Sequence, residues 1–138
     1  NHRDGDLRAA LRERLPEGAD VVIDPVGGDL SEPALRGMRH GGRFVTVGYA
    51  SGVIPKMPLN LVLLKGVEIR GFEFRSFALH RPEEYARDEA ELMQMLASGK
   101  AAPYVGARFD LDHVVDAVRH VAEGKAIGKV LLDVTFPR

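Results

Sequence analysis

The stretch Asp20-Val21-Val22-Ile23-Asp24-Pro25-Val26-Gly27-Gly28 decides the fold, because a second stretch repeats its character: Gly41-Gly42-Arg43-Phe44-Val45-Thr46-Val47-Gly48-Tyr49-Ala50-Ser51-Gly52. Each is a β-branched run ending in glycines. The first shows little polar alternation, the pattern of a strand buried in a parallel sheet. In such sheets the carboxyl ends of the strands present backbone to a ligand. No Gly-x-Gly-x-x-Gly occurs in the chain. The loop that grips a dinucleotide pyrophosphate is therefore absent from this sequence. The expectation is the carboxyl-terminal portion of a larger nucleotide-binding protein, and the opening Asn1-His2-Arg3-Asp4, with no initiator Met, agrees with it.

Outward from these runs, Leu7, Ala10, Leu11 and Leu15 have the spacing of a short amphipathic helix, with Asp6 as its cap and Pro16 and Gly18 as its stop. Ser31 is placed to cap a second helix, with Leu35 and Met38 on its inner face and Gly41-Gly42 at its end. Residues 43–47 then form the next strand. Residues 53–58, with two prolines, form a loop, and 59–65 form two helical turns stopped by Gly66. Residues 67–72 begin with polar alternation and read as a strand with one open face, at a sheet edge.

Beyond a loop at 75–81, the texture changes. Residues 82–98 form a charged amphipathic helix, and 104–109 a strand. Asp110 caps a helix bearing Val114, Val118 and Val121, and 129–134 form a last strand. The order predicts an α/β fold: the second half of a Rossmann-type doubly wound parallel sheet in residues 1–74, then a small carboxyl-terminal α/β piece in 75–138.

Composition narrows the function classes. The 138 residues are 45% hydrophobic and 28% charged with a net charge of -1, so nothing argues for nucleic acid or a polyanionic partner. No cysteine is present, which excludes a disulfide, a thiolate metal site and a cysteine nucleophile within this chain and fits a reducing cytoplasm. No apolar run approaches the roughly 20 residues of a membrane span.

Among the residues with chemical potential, Gly27, Gly28 and Gly48 follow strands that run parallel and share one sheet edge. They either make tight turns or let a flat ring approach the main chain, and their recurrence favours the ligand edge. Val47-Gly48-Tyr49-Ala50-Ser51-Gly52 is the most ligand-like stretch, with free peptide groups, a hydroxyl and an aromatic ring. Asp24 is a ribose ligand or, more simply, a turn cap. Lys129 can reach a phosphate, but spacing alone favours an exposed lysine opening a strand. His2, His40, His80, His113 and His120 form no metal motif, and no Gly-x-Ser-x-Gly or paired-carboxylate site occurs.

With these residues in view, the chain resembles the carboxyl-terminal part of the medium-chain dehydrogenase/reductases, above all the zinc-independent quinone oxidoreductases and enoyl-thioester reductases. The resemblance rests on ordered pieces: the 24–28 turn, the 41–52 run, Pro58-Leu59-Asn60-Leu61-Val62-Leu63-Leu64-Lys65, Ile69-Arg70-Gly71-Phe72, and Glu123-Gly124-Lys125-Ala126-Ile127-Gly128-Lys129-Val130. It implies that Val47, Gly48, Tyr49 and Ala50 line a cofactor near its nicotinamide, with Phe72, Glu73 and Phe74 at a neighbouring strand tip and Lys129 on the cofactor. It implies NADPH, with NADH as an alternative, and a quinone or an enone or enoyl thioester as small-molecule acceptor. It also implies a homodimer pairing through strand 67–72. It assigns no catalytic residue and no metal within the chain. Zinc-dependent alcohol dehydrogenases, a non-catalytic binding or dimerisation module, and one domain of a multidomain synthase remain as alternatives.

Overall fold

The computed structural model describes residues 5–134, and the chain divides into two compact units, Asn1–Tyr85 and Ala86–Arg138. In the first unit, helix α1 (Leu7–Arg14) starts where the Asp6 side chain accepts from the Arg8 N–H. Strand β1 (Ala19–Asp24) follows, then a 3-10 turn at Gly28–Leu30, helix α2 (Ser31–Arg36), strand β2 (Met38–Thr46), helix α3 (Leu59–Lys65) and strand β3 (Glu68–Gly71). The strands lie in the order β1-β2-β3, all parallel, with Asp24, Thr46 and Gly71 level at their carboxyl ends. This is the expected α/β architecture with parallel strands, and β3 stands at an edge of the sheet among the described residues.

The core lies on one face of this sheet. Leu35, Met38, Phe44 and Val67 are buried, with Val22, Met57, Leu61 and Val62 packed on them. Phe44 and Val22 face α2 and α3 because alternate strand residues share a face. The opposite face carries Val21, Ile23 and Val45 beside a groove of about 740 Å³, and Ile23 is 68% exposed.

Two sequence expectations change here. Helix α2 stops at Arg36, with Gly37 as its C-cap, so Gly41-Gly42 does not end it. Met38 instead opens β2. Ala19 pairs with Met38 but Val21 with Arg43, so residues 39–42 bulge out of the ladder. Gly42 sits where a Cβ would meet the Asp20 carbonyl at 2.9 Å, so that glycine serves the bulge. Second, the expected loop at 75–81 is helix α4 (Phe74–His80). Its N-cap is Glu73, whose two oxygens accept from the Arg75 and Ser76 N–H groups. Phe72 against Phe77 and Phe74 against Tyr85, at 5.5 and 5.6 Å between ring centres, keep α4 within the first unit.

Helix α5 (Pro82–Ala97) contains the boundary between the units. In the second unit, β4 (Val105–Asp110) and β5 (Lys129–Asp133) pair in parallel, tied by Arg108 and Asp133 at 2.8 Å. A 3-10 turn at Leu111–His113 leads into helix α6 (Val114–Ala122), which buries Ala117. Asp110 makes no side-chain cap bond, contrary to expectation. His120 is half-buried with its ring 5.7 Å from Phe109, so it is a packing residue. His2 lies outside the described residues. No described helix is long and apolar enough to cross a membrane.

Candidate functional site

Parallel pairing brings three strand ends level, and the chain leaving each end builds the site. The ladder runs one residue past the strands: Val47 N–H donates to the Asp24 carbonyl and Phe72 N–H to the Thr46 carbonyl, both at 2.9 Å. Beyond that point the loop from β2 folds over the turn from β1. Ala50 N–H donates to Pro25 O, Ser51 N–H to Val26 O, and Gly28 N–H to Val53 O.

Asp24 organises this turn. It is 7% exposed. Its Oδ1 accepts from the Val26 and Gly27 N–H groups at 2.9 Å, and its Oδ2 accepts from Ser31 Oγ at 2.5 Å. Burial pushes its carboxyl up, but the bonds from Gly27, Ser31 and Val26 outweigh this and hold it below the ordinary value of 3.8. The turn-cap reading of Asp24 holds. Ser31, expected as a helix cap, makes no cap bond because its hydroxyl is engaged by Asp24.

A Cβ on Gly27 would meet the Tyr49 ring at 2.8 Å and Val53 O at 2.9 Å, and one on Gly28 would meet Ser51 Oγ at 2.8 Å. These glycines admit the neighbouring loop, as the tight-turn reading expects. Gly48 faces the Pro25 carbonyl in the same way, at 3.3 Å. Ser51 Oγ accepts from the Val53 N–H at 3.2 Å, which closes the loop on itself.

A cleft of about 510 Å³ opens between the ends of β2 and β3. It brings together Val47, Gly48, Tyr49, Phe72 and Glu73. Ala50 and Phe74 are not among its lining residues. The Ala50 N–H is engaged by Pro25, and the Phe74 ring packs on Tyr85. Lys129 belongs to the second unit, where it is exposed at the start of β5 and its N–H donates to Tyr104 O at 2.7 Å. Three lining residues escaped the sequence reading: Thr46, Gly71 and Ser76. Thr46 Oγ1 is buried without a hydrogen-bond partner among the described residues. A Cβ on Gly71 would meet nothing within 4 Å, so the cleft is open where that side chain is missing. The available signal was that Gly71, like Gly48, ends a β-run. Ser76 had none, because it sits on the unexpected α4.

Comparison with known proteins gives the family and the fold. The model of a family described as zinc-binding dehydrogenase matches residues 1–132. The chain belongs to the zinc-binding dehydrogenase family. It is 38% identical over 133 residues to quinone oxidoreductase-like protein 2 of Bos taurus, covering 96% of this chain and 38% of that protein. It is 27% identical to prostaglandin reductase-3 of Mus musculus, covering 99% of this chain and 40% of the relative. The fold matches CurA of Vibrio vulnificus, solved in complex with NADPH, with a TM-score of 0.74 at 23% identity, over 99% of this chain and 43% of that one. The chain thus spans about two fifths of the length of these members of the medium-chain dehydrogenase/reductases, an oxidoreductase family. The zinc of the family name finds no fitting site here: among the described residues no three His, Asp or Glu side chains come together, and the sequence has no Cys.

Proposed function

We propose that this chain supplies one wall of the nicotinamide pocket of an NADPH-dependent oxidoreductase that reduces a quinone or an activated C=C. The observation that carries the proposal is the cleft where the chain leaves β2 and β3, with backbone at Gly48 and Gly71 and rings at Tyr49 and Phe72. The missing Cβ of Gly71 leaves room for a flat group there, and the volume falls within the roughly 300–1,000 Å³ of small-molecule sites.

Val47, Gly48, Tyr49 and Phe72 would hold the nicotinamide, which when bound would supply a hydride to an acceptor that takes its proton from water. The chain's own contribution is position. Val47 is fixed by its bond to the Asp24 carbonyl, Ala50 by its bond to the Pro25 carbonyl, and Glu73 fixes α4 and with it Ser76. In the same proposal, NADH is the alternative cofactor, and β3 pairs with its twin across a homodimer.

The test is titration of the chain with NADPH, followed by cofactor fluorescence, for wild type and Gly71→Leu. Saturable binding lost in Gly71→Leu supports the pocket. Equal binding by both proteins sinks it. Leucine at this position fills the cleft without strain, because Gly71 is not at positive φ and has open space before it.

A further inference from the structure

Strand β3 leaves one edge of its sheet open among the described residues. Phe72 N–H turns inward, to the Thr46 carbonyl. Successive residues of a strand turn their peptide groups to opposite sides, so Ile69 and Gly71 present N–H and C=O outward. All four residues of β3 are exposed, and neither a proline nor a bulge blunts the edge. Ile69 lies level with Phe44, on the face where α3 packs, and α3 exposes Leu59, Leu63 and Leu64. Glu68 and Arg70 lie on the other face, level with Arg43 and Val45.

The charges on this edge select what can pair with it. A second copy related by a two-fold axis runs antiparallel and sets the same patch against itself. Residues directly opposed across such a pair share a face, so the axis passes through a residue and not between two. An axis at Glu68 or at Arg70 opposes like charges, which destabilises the pairing. An axis at Ile69 opposes Glu68 to the partner's Arg70 twice, and the two Ile69 residues exchange their outward N–H and C=O groups. Arg70 forms no ion pair among the described residues of its own copy. Glu68 is held by Arg43 at 2.8 Å, so each pair would join a three-residue network.

Resting on the homodimer reading above, we propose that two copies pair through β3 in one register, with Ile69 on the two-fold axis and a Glu68–Arg70 ion pair on each side that excludes the neighbouring registers. The occupant of this edge is a second copy of the chain.

The sequence has no cysteine, so introduced thiols report the register without background. Dilute Glu68→Cys chain is mixed with Arg70→Cys chain and oxidised. Opposed residues beside a hydrogen-bonded pair lie about 4.5 Å apart at Cα. That is inside the disulfide range, whereas positions offset by two residues lie beyond its limit of roughly 7 Å. The mixture is expected to give a disulfide-linked heterodimer, and each variant alone none. Self-linking of either variant overturns the register and leaves the β3 dimer standing. A dimer in sedimentation velocity with no link in any combination overturns the register and the β3 pairing together, as does a monomer throughout. Arg70→Gln, which tests the charges without a thiol, is expected to weaken the dimer roughly two- to thirtyfold, the range of two cross-strand ion pairs. An unchanged dimer in Arg70→Gln overturns the ion pairs. None of these results depends on NADPH, whose titration judges the pocket separately.

Discussion

The Tyr49 ring occupies the space a side chain on Gly27 would take, with Tyr49 Cδ1 only 2.8 Å from an ideal Gly27 Cβ. Gly27 has φ 70° and ψ -153°, a region open almost only to glycine. Gly27→Ala is therefore expected to combine backbone strain with overpacking, a loss of roughly 2–6 kcal/mol. Urea denaturation measures it. A midpoint within error of wild type would mean that the two loops are not stitched as described.

Asp24 makes stability depend on pH in the acid range. Its folded pKa lies below the unfolded one, so its contribution is complete above the unfolded value near 3.8 and is lost as pH falls through the folded value. Asp24→Asn keeps one acceptor oxygen but cannot accept from Ser31 at the other position. It is expected to cost about 1–3 kcal/mol at neutral pH. Denaturation curves at stepped pH should show wild type and variant converging below the ordinary carboxylate range. A constant gap down to the lowest pH would contradict the assignment.

Ile23 lies on the uncovered face of the sheet, on a strand with no neighbour on its outer side among the described residues. An open strand edge beside exposed apolar surface promotes association. The chain is expected to self-associate in sedimentation velocity, and Ile23→Lys to remove species larger than the β3-paired dimer with little change in stability. A monodisperse wild-type monomer at high concentration would refute this.

Glu73 separates a cap from a cofactor ligand. Removing the cap in Glu73→Ala is expected to cost about 1 kcal/mol, and Glu73→Asp to restore most of it, because aspartate also caps well. NADPH affinity should be unchanged in Glu73→Asp. A fall in affinity with stability preserved would show that the carboxylate meets the cofactor.

The amino-acid sequence alone determined the parallel β-rhythm, because period and glycine punctuation are local. The runs at 21–24 and 43–47 became neighbouring strands, and Gly66, at φ 57°, closed α3 as expected. Parallel strands must end on one side, and for that reason Val47, Gly48 and Tyr49 come to line one cleft with Phe72 and Glu73, which the family resemblance had named.

Only the tertiary structure decided what each glycine is for. A C-cap, a bulge and a close loop contact all call for glycine, and the choice depends on residues distant in sequence: Gly42 against Asp20, Gly27 against Tyr49. It likewise decided that 74–80 is helical, because Glu73 caps it and Phe72 and Tyr85 pack on it. Asp24 became a turn anchor for the same reason. A carboxylate takes the donors that folding brings to it, and here folding brought Ser31 from seven residues away.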